Sequence, residues 1–354
     1  MSAVDRRLHG LDLARYLALA GMVLVNFRLA MAVPAEGAGW LAGFFHFLEG
    51  KASATFVTLA GLGLVLATQR QGWWPASVQT WRRALFLMVL GLLNLTLFPA
   101  DILHYYAVYF ALAVVWLRAS PRVLLASIVG LAACSFWALL HWNYSEGWNW
   151  QTLEYAGLWQ WPGAARNLLF NGFHPLMPWL CFFLLGMLLA RLQLSQPRVQ
   201  HALLVLGLLL IGAGHGVQQL AQGMPWQVWL GTQPMPPGPA YVLTGAGAAC
   251  SVIAACLWLA RVRPGDWLEP FTAAGRMTLT LYVGHILLGM GTLESLGLLD
   301  GSASLASVLL WALLFLMLAT GAAWLWSWQF ARGPLETVMR RIAGYFPGRA
   351  ESML

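Results

Sequence analysis

Ten apolar runs dominate the 354-residue chain, separated by segments that hold most of its charge. They lie near 11–33, 52–69, 83–98, 102–117, 122–142, 174–191, 201–221, 239–260, 271–293 and 304–328. A bilayer core of about 30 Å takes roughly 20 helical residues, so runs of this kind suit spanning helices. Backbone polar groups in lipid must be satisfied within the span, which excludes open sheets. The pattern predicts an all-α polytopic membrane bundle of about ten transmembrane helices, N-in and C-in, as one domain over 1–354. Three connections expected outside, 34–51, 143–173 and 222–238, are too long to be turns. The second gathers Trp148, Trp150, Trp159, Trp161, Tyr144 and Tyr155 beside Trp142, aromatics that settle at headgroup depth or, alternatively, form a platform for a sugar. The third, with Pro225, Pro234, Pro236 and Pro237, is expected to be irregular.

Composition agrees with the pattern: 60% of residues are hydrophobic and 9% charged. Charge then orients the bundle. Arg6, Arg7, Arg15, Arg70, Arg82, Arg83, Arg118, Arg122, Arg191, Arg198, Arg261, Arg263, Arg276, Arg332, Arg340, Arg341 and Arg349 fall on the side of the N-terminus. Only Arg28, Lys51 and Arg166 fall on the other. Basic residues in short loops resist translocation, so the arginine-rich side is expected to be cytoplasmic. The net charge of +7 is explained by this topology and by contact with anionic lipid, and no nucleic-acid partner is expected. Arg6, Arg7 and Ala30-Met31-Ala32 imitate a cleavable signal, but Asp12 and Arg15 interrupt the apolar stretch. It reads as a retained first helix. Cys134, Cys181, Cys250 and Cys256 sit in apolar runs without a CxxC pair and read as small hydrophobes.

Ionisable groups inside such runs are costly and normally face the bundle interior. Asp12 and Arg15, at i,i+3 spacing, can pair on one helix face. Asn26 and Arg28 lie near the outer end of the same run. His46 and Glu49 share i,i+3 spacing just before the second run, where a carboxylate could hold an imidazole as a general base. An interfacial histidine in a polar turn is the plainer reading of the spacing. Asp101 and His104 repeat that spacing, and Asp101 could instead cap the helix that follows. His174 precedes Pro175, Pro178 and Trp179; Tyr282 and His285 share a helix face, suggesting a hydrogen bond between them. His46, Asp101, His104 and His174 all fall at outer helix ends, which suggests a site opening outward. No HxxxH or HExxH spacing occurs, so no metal is expected.

Several of these residues stand in familiar order. Leu11-Asp12-Leu13-Ala14-Arg15, Met22-Val23-Leu24-Val25-Asn26-Phe27, the segment reaching His46 and Gly50, and Phe56-Val57-Thr58-Leu59-Ala60-Gly61 come first. Asp101-Ile102-Leu103, His174-Pro175-Leu176-Met177-Pro178-Trp179, Gly275-Arg276-Met277-Thr278-Leu279 with Tyr282 and His285, and Gly333-Pro334-Leu335-Glu336 follow. Together they resemble the heparan-α-glucosaminide N-acetyltransferase family and the bacterial YeiB-like membrane proteins. The resemblance implies a multi-pass transmembrane acyltransferase of the bacterial inner membrane. Acetyl-CoA or another acyl-CoA would enter from the cytoplasm, and a glycan or lipid-linked acceptor would be modified outside. It implies His46 as the active-site histidine, acting as a base or carrying the acyl group; spacing and placement, not the resemblance, add Glu49 and Asp101 as catalytic partners. Asn26, Arg28, His104, His174, Trp179, Tyr282 and His285 would shape the acceptor site, and Arg82, Arg83 and Arg276 would meet the CoA phosphates. Leu48-Glu49 stand before Gly50 where the acetyltransferase branch has Trp-Asn, and no Asp follows, so sugar specificity is not implied. Membrane lipid is an expected partner, and a homodimer is compatible with the sequence. A transporter or flippase for a lipid or glycan, using the same outward cavity, is the rival reading.

Overall fold

The first apolar run folds as α1 (His9–Ala30), with the Asp12 carboxylate in its first turn. The computed structural model describes residues 9–35, 39–150 and 152–344; Arg6, Arg7 and Arg349 lie outside these. The segment 34–51 is not simply a loop. Its apolar stretch forms α2 (Trp40–Leu48), and the chain turns through Glu49 and Gly50 into α3 (Lys51–Thr68). Gly50 has φ +70°, and a Cβ there would lie 2.6 Å from Pro234, so glycine alone suits the turn.

Next come α4 (Trp73–Leu95), α5 (Leu103–Ala113) with a tighter turn to Trp116, and α6 (Pro121–His141). Pro at the first turn and the Ser120 hydroxyl, which accepts from Val123 N, start α6. The segment 143–173 holds a small hairpin, β1 (Trp148–Asn149) against β2 (Glu154–Tyr155), then α7 (Gly163–Arg166) and a π turn to Asn171. α8 (Leu176–Leu189) is bent by 48° from that π-turn segment. α9 (Pro197–Leu220) and α10 (Pro239–Val262) lie side by side, joined by the proline-rich connection, whose one regular piece is the short helical turn Gln227–Leu230. The expected span 271–293 is segmented: α11 (Glu269–Arg276), a break at Met277, α12 (Thr278–Gly284), a π turn His285–Met290, and α13 (Gly291–Ser295). α14 (Leu305–Ser327) and α15 (Pro334–Ile342) complete the fold.

Among the described residues, six helices are long and apolar enough to cross a membrane, or seven if the bent pair counts as one. The ten expected runs therefore include four that do not qualify alone: α8 does so only with the bent segment before it, and three do not at all. α4 carries Arg82 and Arg83, α5 is short, and the run from Glu269 is broken.

Burial separates the helices into centre and rim. The most apolar stretches of α6, α9 and α14 are only 22%, 17% and 22% buried, against 61% for α1 and 56% for α10. Leu206, Leu209, Leu310, Leu313 and Leu318 on the rim are exposed, an apolar surface too continuous for water and suited to lipid. At the centre, Phe27, Tyr105, Tyr109, Phe110, Trp179, Phe182 and Tyr241 form an aromatic core. α3 and α8 approach closely enough that a Cβ on Gly186 would stand 1.8 Å from the Thr58 carbonyl oxygen. The four cysteines are free.

Candidate functional site

The arginine-bearing helix ends converge on a cavity of about 280 Å³. α1, α3, α4, α5, α11, α12 and α15 enclose it. Its charged lining is Arg15, Arg83, Arg276, Arg332 and Arg340, against the carboxylates of Asp12 and Glu336. Both acids are engaged: Asp12 pairs with Arg15 at 2.6 Å, and Glu336 accepts from Leu279 N, Thr280 N and Thr280 Oγ1. Phe56, Leu59, Leu87, Leu103 and Phe110 supply an apolar wall, and Tyr106 and Tyr282 also line it. The Arg83 guanidinium stacks 4.2 Å over the Phe110 ring. Of the expected phosphate-binding residues, Arg83 and Arg276 line this cavity. Arg82 is exposed and does not, because Arg83 and Leu87 define the lining face of α4.

Beyond Tyr282 the bundle is closed by a hydrogen-bonded layer centred on Asp101, which is fully buried. Asp101 accepts from Leu103 N at 2.7 Å, from Asn94 Nδ2 at 3.2 Å and from the Tyr282 hydroxyl at 3.2 Å. It thus serves the first turn of α5, as its capping chemistry suggested, and also binds α4 and α12 to that turn. His104 Nδ1 lies 3.5 Å from Asp101 Oδ2. His285 donates from Nδ1 to the Tyr282 carbonyl, leaving Nε2 to accept from Asn26 Nδ2 at 3.0 Å. The expected hydrogen bond between His285 and Tyr282 is thus made, but to the Tyr282 carbonyl rather than its hydroxyl. The hydroxyl instead meets the segment just before α5, donating to Asp101 and accepting from Ile102 N at 3.2 Å.

His104 continues the layer through ring contacts: its ring centroid is 3.9 Å from that of Tyr105, which lies 5.9 Å from His174. His174 in turn meets Trp179 edge-on at 4.5 Å. Asp101, His104, His174, Trp179, Tyr282, His285 and Asn26 thus form one connected group.

His46 and Glu49 belong to a second group. His46 Nδ1 is 3.4 Å from Glu49 Oε2, and the Glu49 carboxylate is also paired with Arg28, whose Nη1 donates to the Val33 carbonyl at 3.1 Å. The His46 side chain is 47% exposed, whereas Arg28 is buried. These contacts run toward Arg28 and Val33 and not toward Asp101, so the single outer site suggested by the helix ends divides into two. The aromatic segment also divides. Trp142, Trp159 and Trp161 are exposed, as headgroup anchors would be. Tyr144 is buried, and Trp148 donates to the Asn171 carbonyl at 2.6 Å.

Sequence reasoning misses Asn94, Tyr106, Thr280, Arg332, Arg340 and the role of Glu336 in these groups. Asn94 meets Asp101, Tyr106 meets Phe56 and Thr280 meets Glu336 across the fold, and no local spacing marks these contacts or the cavity arginines. The Gly-Pro-Leu-Glu segment is the one available signal.

Residues 7–201, more than half of the chain, match the family described as heparan-alpha-glucosaminide N-acetyltransferase, catalytic. The chain belongs to this family. Residues 180–345 match a second family, described as a protein of unknown function (DUF418). No curated protein and no solved structure matches the chain. The family identifies a transmembrane acetyltransferase type of protein, consistent with the apolar helical bundle. The cavity straddles both regions: Arg15, Phe56, Arg83 and Phe110 come from the acetyltransferase region, and Arg276, Tyr282, Glu336 and Arg340 from the other.

Proposed function

We propose that the protein moves an acyl group, acetyl in the first instance, from acyl-CoA in the arginine-lined cavity to a glycan or lipid-linked acceptor on the opposite face. The observation that carries this reading is the cavity: five arginines beside an apolar wall, ending at Tyr282. Guanidinium groups suit the phosphates of CoA, and the apolar wall suits its acyl end. The thioester C–S bond would break as an acyl–O or acyl–N bond forms, the CoA thiol taking up the proton. On this reading the arginine-rich end is cytoplasmic, with both termini inside. α4, α5 and the segmented α11–α13 run would complete about ten crossings of a bacterial inner membrane.

His46 is the proposed base or acyl carrier, because it stands where the sequence resemblance would place the family's histidine and keeps Glu49 at 3.4 Å. Its exposure suits an acceptor arriving from outside. The acyl group must pass the Asp101 layer to reach it, so Asp101 and Tyr282 are proposed to govern that passage. Asn26, His285, His104, His174 and Trp179 would support it, and Arg28 would hold Glu49 in place.

Purified protein, acetyl-CoA carrying a radiolabelled acetyl group and an extract of membrane glycans and lipids test the reading. CoA should raise the unfolding temperature, and label should move to an acceptor. His46→Ala should cut transfer about 10²–10⁴-fold, the usual worth of a general base, with CoA stabilisation intact. Glu49→Gln should cost less. Absence of both stabilisation and transfer overturns the acyltransferase reading. Near-normal transfer by His46→Ala with a dead His285→Ala would move the base into the Asp101 layer.

A further inference from the structure

The start of α12 has backbone N–H groups with no acceptor in their own helix, because the chain breaks at Met277. A residue 56 positions from Thr280 supplies the acceptor. Glu336 of α15 accepts from Leu279 N at 2.7 Å and Thr280 N at 3.1 Å through one oxygen, and from Thr280 Oγ1 at 2.6 Å through the other. The service is returned: Thr280 Oγ1 accepts from Leu335 N, an orphan donor in the first turn of α15, at 3.1 Å. This is a capping box shared between two helices rather than closed within one. Gly333 leaves the room for it, since a Cβ there would stand 2.3 Å from Glu336 Oε2 and 2.6 Å from Thr280 Oγ1. Arg332 and Arg340 lie on either side of Glu336 in sequence, and both line the cavity.

We infer that α15 is a clasp on the cavity, and that Thr280 and Glu336 are positioning residues that hold Arg332 and Arg340 toward a polyphosphate ligand. The inference rests on the reading of the cavity as the acyl-CoA site. In this arrangement the C-terminal region closes the donor site that the acetyltransferase region builds. Charge alone predicts the opposite effect for Glu336. Removing a carboxylate from an arginine-lined cavity should tighten anion binding, whereas removing a clasp should weaken it.

The test measures CoA affinity of the full chain in detergent and acetyl transfer at saturating acetyl-CoA. Glu336→Ala and Thr280→Val should each weaken CoA binding by about tenfold or more, the scale of lost hydrogen bonds to a charged group. Transfer at saturation should be retained, because neither residue is assigned to the chemistry. Thr280→Ser, which keeps the hydroxyl, should match the parent, and Arg332→Gln with Arg340→Gln should reproduce the loss. CoA should also slow amide exchange over 333–342 in the parent. Unchanged or tighter CoA binding by Glu336→Ala together with unchanged binding by Thr280→Val overturns the clasp while leaving the donor reading intact. If Glu336→Ala does not fold, the Thr280 variants decide the matter. A parent that binds no CoA removes both.

Discussion

Each cation assigned to the outer end of the bundle has an anchoring partner. Arg28 pairs with Glu49, Lys51 donates to the Thr232 carbonyl at 3.1 Å, and Arg166 pairs with Glu146 at 2.7 Å. At the opposite end Asp12 and Arg15 pair at 2.6 Å, with Asp12 buried and the Arg15 side chain 27% exposed. Removing one partner leaves the other charge uncompensated, whereas removing both need not. Asp12→Asn alone should therefore cost about 1–3 kcal/mol, reduced from the fully buried case by the exposure of Arg15. The double change Asp12→Asn with Arg15→Gln should cost less. Unfolding temperature and folded yield in detergent check this; equal losses from the single and double variants would count against pairing. Such i,i+3 pairs were legible in the sequence because helix geometry alone brings them together. Arg28–Glu49 was not, since it requires α2 to fold back beside the end of α1. Nor was the hydroxyl of Tyr282 legible, because its direction depends on a residue 181 positions away.

Helices here approach one another through missing side chains. Gly61 would carry a Cβ 2.0 Å from the Phe183 carbonyl oxygen, and Gly186 one 1.8 Å from that of Thr58, so α3 and α8 meet backbone to backbone. Small residues permit such approach in lipid, where packing rather than the hydrophobic effect joins helices. Gly186→Val should force the two apart, costing more than the roughly 1–3 kcal/mol usual for overpacking, because backbone cannot yield like a side chain. Gly212→Ala on α9, where nothing lies within 4 Å, is the control and should leave folded yield unchanged. Fluorescence-detected size exclusion compares them; a monodisperse, full-yield Gly186→Val would refute the contact. At this scale hydropathy located most helices but not their interruptions. α2 was hidden in a segment marked by Pro34 and glycines. The π turn at His285 was invisible because an inserted residue leaves no mark on an apolar run. It matters to the site, since it begins where the ring meets Asn26.

The distribution of charge over the whole molecule has a physical asymmetry that the fold preserves. One end turns five arginines into a shared cavity, whereas the three cations assigned to the other end each meet separate partners: Arg28 meets Glu49 and the Val33 carbonyl, Lys51 the Thr232 carbonyl and Arg166 Glu146. Membrane class was legible because 60% hydrophobic content leaves no soluble alternative for runs of this length. The cavity was not, because seven helices from both family regions must assemble before it exists. Orientation follows from the cost of translocating arginine, so the segments 70–82, 118–122, 191–201 and 261–271 should be cytoplasmic. Single cysteines can check this in a Cys134→Ala background, since the other three cysteines are buried. Trp159→Cys, at an exposed position in the segment 143–173, should react with an impermeant maleimide in intact cells. Ser195→Cys, exposed in the connection between α8 and α9, should react only after permeabilisation. The reverse pattern would invert the bundle and turn the arginine-lined cavity outward, away from cytoplasmic CoA. That single result would remove the donor site, the direction of transfer and the clasp together.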